Sequence, residues 1–224
     1  MIVWLASYPR SGNTLVRQMI KQMFGLETHS RYNDSGDIGA QPEVAKAVGH
    51  ANFEGGWDDF YEQARQSAQI TFVKTHDPPI DTGRAIYIVR DGRAAMVSFL
   101  HLQREFRRRD DIDLPKVMKG EVPFGSWSQH LSDWNPLERP DTLLLRFEDL
   151  VGDPRQSADR IGDFIGIKPT ATWSNELDKL RALLPGFFRQ GSDAANFEEL
   201  SGDAEDLFWN LHGPWMQRMG YLRG

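Results

Sequence analysis

Residues 4–20 read WLASYPRSGNTLVRQMI, and the change of pattern inside this stretch decides the fold. At its start, Ile2 to Leu5 is a short apolar run with β-branched residues, the composition of a buried strand. At its end, Leu15, Val16, Met19, Ile20, Met23 and Phe24 recur at helical spacing, and Gly25 supplies a stop. The helix so marked runs for about three turns. Between the two lies a tight turn, Pro9 to Gly12. A strand that turns directly into a helix aims the helix's first free N–H groups and positive dipole end at the loop, which is a site for an anion.

The alternation continues outward. Ile70 to Val73, Ala85 to Val89 and Thr142 to Leu145 read as further buried strands. Helices are expected from Asp91 and from Asp153-Pro154, the latter with Ala158, Ile161, Phe164 and Ile165 as its apolar stripe. Strands alternating with helices predict a single α/β domain over residues 1–224, with a central parallel sheet flanked by helices on both faces and right-handed crossovers. There is no internal repeat and no linker. The least regular stretches, 25–57 and 104–123, are long connections of the kind that carry substrate contacts.

With 224 residues, 40% of them hydrophobic and 11% aromatic, the composition is that of a globular protein large enough to bury a core. No segment is long and uncharged enough to span a bilayer. Met1 to Ala6 lacks a basic flank and runs straight into Tyr8-Pro9-Arg10, so it reads as a strand rather than a signal peptide, and the expected location is cytoplasmic. The absence of cysteine excludes disulfides and thiolate metal sites. A net charge of −6 argues against a general nucleic-acid binder. Any anion site must therefore be assembled locally from a few cations.

A nucleotide P-loop reads G-x-x-x-x-G-K-[ST]; with Gly12 and Thr14 in register, Ser7 takes the place of the first glycine and Asn13 that of the lysine. The missing cation can come from Arg10, inside the loop, or Lys74, at the end of another strand. The bland alternative is an ordinary turn capped by Ser11 and Thr14. FVKTHDPP, residues 72–79, sets Lys74 and His76 at the carboxyl edge of the sheet, where open α/β folds bind ligands. Two residues apart in extended chain, they can face one side as a base beside a cation. A structural histidine is the competing reading. YIVRDGRAAMVSFLH, residues 87–101, ends a strand with Arg90 and opens a helix capped by Asp91. Ser98 returns to the face of that helix's start about 10 Å further along, so Arg90 and Ser98 can grip a second anion. The alternative is a capped helix with an exposed arginine and a buried serine.

Together these stretches resemble the cytosolic-type sulfotransferases, which use 3'-phosphoadenosine 5'-phosphosulfate (PAPS) as donor. SYPRSGNT is similar to that family's 5'-phosphosulfate loop, YPKSGTT, with Arg10 where the family often has lysine. VKTHDPP is similar to its KTHLP segment, and IYIVRDGRAAMVSF to its 3'-phosphate segment. FGSWSQHLSDW (124–134) and LLRFEDLVGDP (144–154) match later segments in the same order, so the resemblance runs from Trp4 to at least Gly191. It implies a P-loop-kinase-like fold. By that resemblance the N–H groups of Ser11, Gly12, Asn13 and Thr14 hold the 5'-phosphosulfate, while Arg90 and Ser98 hold the 3'-phosphate. His76 is then the general base, with Lys74 and Arg10 stabilising the transferring sulfuryl group, and no metal is required. The expected acceptor is a hydroxyl, or an amine, of a small molecule or carbohydrate. Elementary chemistry agrees: imidazole suits a base at neutral pH, and preorganised cations suit a leaving phosphate.

The sequence also departs from the family. Leu15 stands where a tryptophan often stacks on adenine. FFRQGSDAANF resembles the family's R-K-G segment, which leaves Arg189, Gln190 and the N–H of Gly191 as 3'-phosphate candidates, with Gln190 in place of the lysine. Trp127, His130, Leu131 and Trp134 fall at i, i+3, i+4 and i+7, a buried helix face. REFRRRDD, 104–111, reads as a solvated helix end balanced by its aspartates, or as a lure for an acidic acceptor. His29 and His50 read as surface residues or as the border of an acceptor pocket. LFWNLHGPWMQRMGY, 207–221, is expected to be a helix interrupted at Gly213-Pro214. The rival function, a P-loop nucleotide kinase or NTPase, requires a lysine at 13 and a Mg²⁺-binding aspartate after a strand, whereas Asp91 reads as a cap. The acceptor and the oligomeric state stay open.

Overall fold

In the computed structural model, which describes residues 1–188 and 199–223, five strands form one fully parallel sheet. They are β1 (Ile2–Ser7), β2 (Thr28–Ser30), β3 (Thr71–Thr75), β4 (Arg84–Val89) and β5 (Thr142–Arg146), in the order β2-β3-β1-β4-β5. The central strand shows why the sheet is covered on both sides. All six residues of β1 are buried. Ile2, Trp4 and Ala6 point into one core, Val3 and Leu5 into the other, as the two-residue period of a strand requires. Burial of Ile2, Val3 and Leu5 stabilises the fold by roughly 1.5–3 kcal/mol each.

The second core is closed by α1 (Asn13–Phe24), α7 (Phe147–Gly152) and α8 (Pro154–Ile165). The first is closed by α3 (Trp57–Gln66), α4 (Gly92–His101), α5 (Leu114–Lys119), α6 (Trp127–Trp134) and α10 (Asp203–Arg218). A smaller cluster joins α2 (Pro42–Val48) to α9 (Leu177–Leu183). β1 lies between β3 and β4, in register from Leu5 opposite both Lys74 and Ile86. The connections leave these strands toward opposite sides, and the crevice beyond their carboxyl ends is where such a sheet binds ligands.

The expected elements form with small shifts. Gly25 ends α1 in a left-handed conformation (φ 68), and its N–H bonds Ile20 and Lys21 carbonyls. Asp91 caps α4 by accepting from the Arg93 N–H, and Asp153 caps α8 with Pro154 at its first turn. Trp127, His130, Leu131 and Trp134 are all buried on α6.

Three expectations fail. The stretch 25–57 holds β2 and α2, and within 104–123 the helix α4 runs on as a π-helical turn over Leu102–Phe106 before α5 begins. α10 passes unbroken through Gly213-Pro214. Pro214 and Asn210, whose carbonyl loses its helical partner, are both solvent-exposed, while Phe208, His212 and Met216 anchor the buried side. His50 is not a surface residue: it is buried, with Nδ1 2.6 Å from the Arg17 guanidinium.

Candidate functional site

The loop after β1 is bent by two left-handed residues, Arg10 (φ 67) and Gly12 (φ 105). The Ser11 N–H closes the turn on the Tyr8 carbonyl at 3.3 Å. Gly12 is the N-cap of α1 and no side chain caps it, so neither Ser11 nor Thr14 plays that part. The helical ladder starts with the Val16 N–H on the Gly12 carbonyl, 3.2 Å. Amides ahead of that bond face a concave nest with the helix dipole behind it. A Cβ at Gly12 would lie 2.6 Å from the Phe147 ring, so the turn tolerates only glycine there. The Ser11 hydroxyl is buried and lacks a hydrogen-bond partner among the described residues.

The residue at the P-loop lysine position turns away from the nest. Asn13 Nδ2 donates to the Leu5 carbonyl (2.8 Å) and the Ser7 hydroxyl (3.3 Å), tying the helix start to the end of β1. Asp91, two residues past the end of β4, is occupied as a cap and paired with Arg93 at 2.7 Å. The lysine of a nucleotide-kinase loop is thus absent, and Asp91 is spent on capping α4. Among the described residues, no group of three or more His, Asp or Glu side chains is placed to hold a metal ion.

Past β3, His76 places Nδ1 2.7 Å from the Ser7 carbonyl oxygen. A carbonyl can only accept, so Nδ1 carries the proton and Nε2 keeps its lone pair. Burial and the neighbouring Lys74 ammonium push the imidazolium well below its ordinary range, against the opposing pull of the Ser7 hydrogen bond. Both effects favour the neutral ring over the imidazolium. Lys74 is ion-paired with Asp34 at 2.8 Å and stands 5.1 Å over the Tyr32 ring. Asp34 also pairs with buried Arg17 at 2.8 Å. Burial alone would raise the Asp34 carboxyl, but Lys74 and Arg17 hold it far below the usual carboxylate range.

At the other side of the loop, Arg10 Nε donates to the Ser98 hydroxyl (3.1 Å) and Arg90 donates to the Arg10 carbonyl (3.1 Å). The Arg90 guanidinium lies 4.3 Å over the Phe147 ring. Arg10 therefore belongs with Arg90 and Ser98 in one cationic corner. Arg10, Gly12, Asn13, Thr14, Lys74, His76, Arg90 and Ser98 all line a single cleft of about 1110 Å³. Ser11 lies beneath it. Arg189, Gln190 and Gly191 fall outside the described residues.

These groups suit a ligand with two anionic ends: the uncapped nest for one, and the Arg10–Arg90–Ser98 corner for the other. Leu15 lines the cleft where the family often has tryptophan, and Phe147 also faces it. Sequence reasoning missed Tyr32, Asp34 and Phe124, which border His76 and Lys74 in the cleft. Only their places in the irregular stretch 25–57 and in FGSWSQHLSDW pointed toward them.

A family model described as a sulfotransferase domain matches residues 2–202. The sulfotransferases 1A1 of Canis lupus familiaris and Bos taurus are 26% and 27% identical over 179 residues, covering 72% of this chain and 58% of theirs. The chain thus spans less than two thirds of the length of these relatives. Among solved structures, a mouse sulfotransferase complexed with PAP shares the fold with a TM-score of 0.64 and 19% identity, over 96% of this chain and 84% of that one. The sulfotransferase domain of the Synechococcus PCC 7002 olefin synthase gives a TM-score of 0.54 at 20% identity, over 96% and 94% of the two chains.

Proposed function

The chain belongs to the sulfotransferase domain family, and from that membership we propose that it moves a sulfuryl group from PAPS to an acceptor hydroxyl, with His76 as general base. The observation that carries the proposal is the Nδ1–H bond to the Ser7 carbonyl, which leaves the Nε2 lone pair available in the cleft beside Lys74. When bound, the donor supplies the sulfuryl group and a phosphate that departs with the bridging oxygen.

Each residue then has a task. The amides of Gly12, Asn13 and Thr14 cradle the 5' end, while the Ser11 N–H, which the sequence also assigned there, is spent on the Tyr8 carbonyl. Arg90, Ser98 and Arg10 hold the 3'-phosphate, which separates this donor from ATP. Nε2 of His76 takes the acceptor proton, a contribution worth about 10²–10⁴-fold in rate. Lys74, partnered by Asp34, presents positive charge on the side where negative charge develops. Ordinary ligand cavities run to roughly 300–1,000 Å³, so a cleft of about 1110 Å³ suits a nucleotide donor with a small-molecule or short carbohydrate acceptor beside it.

His76→Ala tests the assignment. Transfer of labelled sulfate from PAPS should fall by two or more orders of magnitude, with affinity for the product 3'-phosphoadenosine 5'-phosphate (PAP) nearly unchanged. Unaltered turnover would remove His76 from the reaction.

A further inference from the structure

His76 sits one residue beyond β3, where the sheet no longer supplies partners for the backbone; the last registered pair with β1 is Ala6 with Thr75. Its N–H donates instead to the Tyr32 hydroxyl at 2.9 Å. That hydroxyl has a single proton, which it gives to Asp77 Oδ2 at 3.0 Å. The following residue is held as well: the Asp77 N–H donates to Thr75 Oγ1 (3.0 Å), and its carbonyl accepts from Trp134 Nε1 (2.9 Å). The Tyr32 ring lies nearly parallel to the imidazole, 6.4 Å away at 18°, and touches Phe124 at 5.8 Å. Phe124 in turn meets the imidazole edge-on at 5.4 Å, from a left-handed backbone (φ 73) that a bulky residue rarely adopts. The face of Tyr32 also takes the Lys74 ammonium.

We infer that Tyr32 is the positioning residue of the base: its hydroxyl, bridging the His76 amide and the Asp77 carboxylate, holds the imidazole where Nδ1–H meets the Ser7 carbonyl and so fixes the tautomer that leaves Nε2 unprotonated. The inference rests on the reading of His76 as the base. Its geometric content, however, can be measured with no donor or acceptor present. Without the hydroxyl, the His76 N–H loses its acceptor and the segment after Thr75 relaxes, so the Ser7 contact lengthens and the imidazole samples both tautomers. Phenylalanine at 32 keeps the ring and its contact with Lys74, which separates orientation from packing.

The test is a long-range ¹H–¹⁵N spectrum of the protein labelled in its six histidines, with the His76 signals identified by their loss in His76→Gln. In the unaltered protein at pH 7.5 a pure Nδ1–H tautomer is expected. In Tyr32→Phe the two nitrogens should move toward a common averaged shift, while PAP affinity by calorimetry stays within threefold. An unchanged Nδ1–H signature in a folded Tyr32→Phe overturns the inference. Should that variant not fold, Asp77→Ala removes the acceptor that orients the same hydroxyl; the same averaging supports the inference and an unchanged spectrum overturns it. If neither the parent nor the variant binds PAP, the donor assignment fails, and the tautomer result still decides the role of Tyr32. With a competent acceptor, Tyr32→Phe should lower kcat about 10- to 100-fold with little change in KM for the donor, the loss expected of a misdirected catalytic group.

Discussion

Replacing Asp34 with asparagine keeps the shape of the side chain and removes its charge, which makes it a sharp probe of the network under the cleft. The Asp34 side chain is 2% exposed and ion-paired at both oxygens, to Arg17 and Lys74, each at 2.8 Å; those side chains are 1% and 12% exposed. Arg17 also reaches Thr28 Oγ1 at 2.8 Å. Asparagine would leave two largely dry cations without a counter-charge, a defect that costs about 3–5 kcal/mol. For a domain of this size, where Tm moves about 2–4 °C per kcal/mol, the drop should be roughly 6–20 °C at pH 7. The pH dependence adds a second signature. Asp34 is held below the ordinary aspartate value of 3.8, so its contribution is complete above that pH. As the pH falls further, the unfolded chain takes up a proton that the folded one refuses, and the contribution is lost at about 1.4 kcal/mol per unit. Paired thermal or urea melts from pH 7 to 3 should therefore show the gap between parent and Asp34→Asn narrowing only below about pH 4. A Tm within 2 °C of the parent at pH 7, or a gap that stays constant with pH, would show that Asp34 is not the counter-charge that Arg17 and Lys74 depend on.

Two other outcomes are expected. Gly12→Ala forces a Cβ to 2.6 Å from Phe147 at a φ of 105, with strain of about 1–2 kcal/mol; the nest should open and PAP affinity fall at least tenfold in calorimetry, so retained affinity would contradict the loop's role. Five imidazoles have depressed values, each chiefly through burial: His29 and His50 below 6.5, His76 well below it, His130 to about 3 and His212 to about 4. Their neutral forms are favoured in the folded chain, so their contribution is complete above pH 6.5 and is lost as the pH falls, because the unfolded chain binds more protons there. Urea midpoints should decline steadily from pH 7 to 4.5; a flat profile would contradict this.

The parts of the fold legible in the sequence were those with local periodicity. β1, β3, β4 and β5 announce themselves as apolar runs, and α1, α4 and α8 carry both stripe and cap. His76, Lys74 and Arg90 were placed correctly at one sheet edge because each ends or follows such a strand. What escaped depends on pairings distant in sequence. β2 has only three residues, too few for a pattern. Tyr32 meets His76, and Asp34 meets Lys74, across 44 and 40 positions, and no spacing rule links them. Asn13 looked like a missing lysine, whereas its amide secures β1. Pro214 looked like a break, but a proline on the solvent side of a well-anchored helix leaves only one exposed carbonyl without its helical partner.

The donor site is tested by calorimetric binding of PAP without magnesium, set against ADP and ATP with magnesium, in the parent and in Arg90→Ala. Tight, metal-independent binding of PAP alone is expected, and an Arg90→Ala variant should lose the preference for a 3'-phosphate. Preference for ATP with magnesium, or equal affinity with and without the 3'-phosphate in the parent, would contradict the donor assignment.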